Sequence, residues 1–108
     1  MPFRHLCSHL VRIQIDGAHQ PPLAGNLEQI DAFEAVVATE EALPTQVEVV
    51  LQAEGLAAPA YVELCRRRET DYEVVLIFRD GFRWSPELWT PDHLYTPRRQ
   101  AKAAAGRE

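Results

Sequence analysis

The sequence predicts a single all-β domain of six short strands, a small barrel or sandwich, followed by short helical turns. Three observations carry this. Six short runs alternate apolar and polar residues with period two. Turn-forming residues separate them every 8–15 positions. Helix-starting residues are confined to two spots after the sixth run.

The first strand is residues 9–15, HLVRIQI, with Val11, Ile13 and Ile15 on one side and Leu10, Arg12 and Gln14 on the other. Asp16-Gly17 and Pro21-Pro22 end it. Residues 25–31 and 33–39 are the next two strands, and in the second Phe33, Ala35 and Val37 share a face. Residues 28–42 also carry apolar side chains at helical spacing (30, 33, 36 and 37), but Phe33 and Val36-Val37 favour the extended chain. The fourth strand, residues 46–53, puts Val47, Val49, Leu51 and Ala53 on one face. Glu54-Gly55 opens a loop rich in small residues. The fifth strand, residues 61–67, turns Val62 and Leu64 inward; the sixth, residues 71–79, does so with Tyr72, Val74, Leu76 and Phe78. Ser85-Pro86-Glu87 and Thr90-Pro91-Asp92 then each set a capping hydroxyl before a proline and an acid, the usual start of a helical turn.

Composition narrows the function. The chain has 108 residues, 46% hydrophobic and 25% charged, room for one modest core. No apolar run approaches the length needed to span a bilayer, and two cysteines are too few for a disulfide scaffold. A reduced, cytoplasmic chain without membrane insertion is expected. The net charge is −5, but residues 98–108 hold four basic groups against one acid, which leaves −8 on residues 1–97. A body that acidic repels a phosphate backbone, so nucleic-acid binding is disfavoured. Residues 1–97 are read as the domain and 98–108 as a basic, Ala-rich, flexible tail.

The order of features resembles the PilZ domain family over roughly residues 4–95. The likeness rests on an arginine-bearing lead-in, the strand HLVRIQI, the stretch GNLEQIDAFEAVVATEEALP from Gly25 to Pro44, and the strands QVEVVLQ, AYVELCRR and YEVVLIF. The resemblance implies an all-β fold, a six-stranded antiparallel PilZ-like β-barrel with short C-terminal helical turns, of bacterial origin, many of whose relatives bind the second messenger cyclic di-GMP. That family grips the nucleotide with RxxxR before the first strand and (D/N)xSxxG between the second and third. Guanidinium forks pair with phosphate, and small polar residues let the backbone come close. Here Arg4 can supply the first arginine, but Ser8 stands four residues later, and Gln29, Asp31 and Glu34 stand where the second motif would be. One of five positions survives, so weak or absent cyclic di-GMP binding is expected. Family members with decayed motifs typically serve as adaptors in signalling, so a protein partner is implied.

Two rival readings remain at this stage. One is a working cyclic di-GMP receptor with rearranged arginines, Arg4 with Arg12 or Arg66. The other is an unrelated small β-barrel that binds or packs against something else. Arg66-Arg67-Arg68 reads foremost as a solvated strand end answering Glu69, Asp71 and Glu73. The RxxxR spacing of Arg79 and Arg83 is a coincidence around an Asp80-Gly81 turn.

His5, Cys7 and His9 would share one face, with Cys65 or His19 to complete a zinc set. HxCxH lacks a second ligand pair, however, so no metal or other cofactor is expected. Cys65 reads as a small half-buried strand residue. No phosphate loop, HExxH or supported nucleophile is present, and the chain is not expected to be an enzyme. Phe82, Trp84, Trp89 and Tyr95 fall within 14 residues, with Leu88 and Leu94 among them. They are expected to cap the open end of the barrel, with Trp84, Trp89 and Tyr95 left in part to dock a protein.

Overall fold

The computed structural model describes residues 4–95. The domain end at residue 97 and the basic tail of residues 98–108 lie outside the described residues. Six strands run in order: β1 (His5–Ile15), β2 (Leu23–Ile30), β3 (Glu34–Thr39), β4 (Glu48–Ala53), β5 (Leu56–Arg67) and β6 (Tyr72–Phe78). They close into an antiparallel barrel in the order β1-β2-β3-β6-β5-β4. Closure removes the exposed edges that an open sheet would leave.

Alternation fills the barrel as the sequence requires. Val11 and Ile13, Ala35 and Val37, Val49 and Leu51, and Val74 and Leu76 are all 0–1% exposed. β5 supplies small inward residues, Ala58 and Ala60, beside Val62, so a narrow interior packs without overfilling. The expected loop after Glu54-Gly55 is therefore strand. Gly55, at φ 85°, makes the turn at once, and residues 56–61 return along β4. Small side chains there reflect a crowded interior.

Strict period two fails at bulges. The register shifts between Leu27 and Gln29 in β2, so Leu27 and Ile30, three apart, both point inward. It shifts again between Val62 and Leu64 in β5. Leu64, expected inward, is instead 39% exposed, and Cys65 packs on the core in its place. Phe33 also leaves the core. Asp31 accepts hydrogen bonds from the Phe33 and Glu34 amides at 2.8 and 2.9 Å, which makes residues 31–34 a turn and starts β3 one residue late. The fourth strand is shortened because Gln46 takes a positive φ of 66°.

Of the described glycines, Gly25 has the closest neighbours. It stands opposite Val11 on one side and Thr39 on the other, and a Cβ there would lie 2.6 Å from a Val37 methyl.

After β6, Asp80 and Gly81 take φ of 58° and 75° and form the expected tight turn, with the Phe82 amide donating to the Arg79 carbonyl. No helix follows among the described residues. Ser85 caps a single turn, accepting from the Leu88 amide, and the chain then passes beside β1 with a further turn at Asp92-His93, where His93 takes φ 55°. Thr90-Pro91-Asp92 starts no helix because the backbone is already committed there: Asp92 and Tyr95 carbonyls accept from Ser8 and Leu6 amides at 3.2 and 2.8 Å.

Candidate functional site

The residues expected to decide nucleotide binding meet at one end of the β2–β3 hairpin. Arg4 enters just before β1. Its guanidinium donates to Gln29 Oε1 at 3.2 Å, contacts Glu34 Oε2 at 2.8 Å and lies 3.7 Å from Asp31 Oδ2. The other Asp31 oxygen holds the hairpin turn, which fixes that carboxylate beside Arg4. The cluster is therefore built from the positions where the family would place ligand-gripping groups. One guanidinium faces two carboxylates, a local charge of −1. An incoming phosphate would have to displace Glu34 and would still meet Asp31, 6% exposed, at the same centre.

The other two candidate arginines do not join Arg4. Arg66 donates through Nε to Glu73 at 3.0 Å. Glu34 pairs with Ile77 and Ala38 with Glu73, so the Arg4 and Arg66 clusters are four residues apart along β3, about 13 Å at the rise of a strand. Arg12 is exposed on the outer face opposite Ala24 and Gln52, and has no ion-pair partner among the described residues. Arg68 is held by Asp71 at 2.7 Å and Glu28 at 3.2 Å, and its contact lowers the Asp71 carboxyl below the ordinary range. Arg66 and Arg68 thus form strand-end ion pairs, while Arg67 between them lies over the Tyr72 ring. Arg79 is likewise taken up, by Asp16 and Asp80 at 2.6 Å each.

The tryptophans are withdrawn from the surface. Trp84 is 3% and Trp89 9% exposed. Each indole N–H has a backbone partner: Trp84 donates to the Trp89 carbonyl at 2.8 Å, Trp89 to the Glu54 carbonyl at 3.1 Å. β4 pairs with β1 only over residues 12–15, which leaves the first half of β1 open on that side. The two indoles lie across this opening, which is why they are buried rather than presented to a partner. Tyr95, bridged to Leu6, stays 41% exposed, as does neighbouring Leu88 at 54%.

Sequence reading missed what faces these indoles. The alternation that places His5, Cys7 and His9 on one face turns both imidazoles toward the tryptophans. The rings of His5 and Trp84 meet edge-on at 5.1 Å, and those of His9 and Trp89 at 4.9 Å. Cys7 between them donates to the Leu27 carbonyl, and burial pushes its thiol up to about 11. No group of three or more metal-ligating side chains is present among the described residues. A sequence signal for the histidine–tryptophan pairs existed: two histidines four apart, two tryptophans five apart.

The outer face of β3, β6 and β5 carries an apolar stripe. Val36, Val75 and Leu64 stand in one register row and Ile77 and Tyr61 in the next. The Arg4–Glu34 and Arg66–Glu73 pairs border it. No helix among the described residues is long and apolar enough to cross a membrane.

Compared with family models, curated proteins and solved structures, the chain matches none.

Proposed function

We propose that this barrel is a PilZ-like signalling or adaptor domain of the bacterial cytoplasm, acting through protein contacts and without catalysis or a working cyclic di-GMP site. The observation that carries the reading is the closure of Arg4 by Gln29, Asp31 and Glu34. The one arginine kept from the family pattern spends its hydrogen-bond donors within the chain, and acids surround it. The apolar stripe supports the protein-contact half: Leu64 is exposed and Val75, Ile77 and Tyr61 are half-buried around the covered Val36, and apolar side chains grouped on one sheet face are what a partner would cover.

Calorimetric titration of the protein with cyclic di-GMP, at low and at moderate salt, tests the first half. The expected result is no binding heat with ligand near a millimolar. Micromolar binding that weakens with salt would overturn it and would make Arg12, an exposed arginine without an ion pair among the described residues, the first residue to replace.

A further inference from the structure

We propose that residues 84–95 form a proton-released strap: protonation of His9 undocks them from β1 and exposes Trp84 and Trp89. His9 Nδ1 accepts a hydrogen bond from the Asp92 amide at 2.9 Å, while its ring packs against Trp89. An imidazole can accept through Nδ1 only when that nitrogen carries no proton. Protonation would set an N–H against the Asp92 N–H and remove that hydrogen bond.

The groups that could offset this are few. The elements packed around His9 carry Asp92 and His93 on the strap, Glu28 on β2, Glu54 at the β4–β5 turn and Cys7 on β1. Leu27 stands opposite His9 in the register. The Asp92 carboxylate is 3.5 Å from Nδ1, but its side chain is 75% exposed, so the attraction it returns is screened. The Cys7 thiol, held up at about 11, stays neutral throughout and returns nothing. The strap is otherwise held to β1 by three backbone hydrogen bonds, at Leu6, Ser8 and Tyr95. His5 against Trp84 doubles the arrangement at the strap's other indole. Histidine is the side chain whose charge changes in mildly acidic solution, so the docked strap belongs to the neutral side of that range.

The test is acrylamide quenching of tryptophan fluorescence in the full chain between about pH 8 and pH 5, with far-ultraviolet circular dichroism followed in parallel. The expected result is a several-fold rise in the quenching constant as pH falls, with the strand signal unchanged. In His9→Asn, whose Oδ1 can accept from Asp92 but takes no proton, quenching should stay low across the range. In the wild-type chain, the NMR titration of the His9 ring carbons should share the quenching midpoint. A flat wild-type quenching curve, a step that persists in His9→Asn, a midpoint apart from that of His9, or loss of the strand signal together with the rise would each overturn the proposal.

Discussion

Replacing Gly25 with alanine should cost the barrel much of its margin. The added methyl would lie 2.6 Å from Val37 Cγ1, 2.9 Å from the Ala38 carbonyl oxygen and 3.2 Å from Thr39 Cγ2. The Val37 methyl belongs to a side chain with no exposed surface, and the Ala38 oxygen is main chain in the β2–β3 ladder, so neither can step aside cheaply. Overfilling of this kind costs about 1–3 kcal/mol. Alanine recovers a few tenths of a kcal/mol or more, up to about 1, by restricting the unfolded chain. Because two contacts fall under 3.0 Å and one is backbone, the loss should sit in the upper half of the range, about 2 kcal/mol net. For a domain of this size that is a fall in Tm of roughly 8–16 °C. Thermal and urea melts followed by circular dichroism would measure it, with the urea midpoint moving and the slope unchanged. A Gly25→Ala protein melting within about 2 °C of the parent would refute the close-approach argument.

The β5 bulge makes a paired prediction: Val62→Ala should lose about 1–3 kcal/mol and Leu64→Ala under about 1, because only Val62 is inside. Equal losses in urea melts would contradict the register shift. Arg68→Met should lower stability at neutral pH and lose that deficit in acid. Asp71's carboxyl is lowered by its hydrogen bonds to Arg68, so its contribution is present above about pH 4 and disappears as pH falls through the lowered value. A gap between the two proteins that widens in acid would show the sign to be wrong. The Cys7 thiol, near 11, should hold on the order of 200-fold less thiolate at pH 8 than an ordinary cysteine. Mass-resolved maleimide labelling should therefore modify it far more slowly than Cys65, and equal rates would count against its burial.

Strand positions were legible because a barrel strand buries every second residue. The alternation of HLVRIQI, VEVVLQ and YEVVLIF agrees with the burial of β1, β4 and β6. What misled was local. A bulge adds one residue without any fixed residue type, so Leu64 reads as core and sits outside. The hairpin turn at Asp31 is made by a side chain accepting two amides, and that removed Phe33 from its apparent face. Ala57 to Ala60 read as a loop because small residues suit both turns and tight interiors. The absence of the nucleotide motif was visible from Ser8, Gln29, Asp31 and Glu34, but their convergence on Arg4 required the hairpin to be folded. The tryptophans read as both a cap and a docking surface. Which half of β1 lacks a neighbour decides between them, and pairing, a long-range property, settles that.

The bridge between Leu6 and Tyr95 has a mechanical consequence. The two ends of the described body lie side by side on antiparallel segments. A force that draws those ends apart acts across the strands, so the Leu6–Tyr95 bonds break before the Ser8–Asp92 bond is loaded. The segment peels like a zipper, one contact at a time, while β1 keeps its full pairing with β2. Tension on this protein would thus be absorbed first at the seam where the indoles lie, and the barrel wall would feel it last.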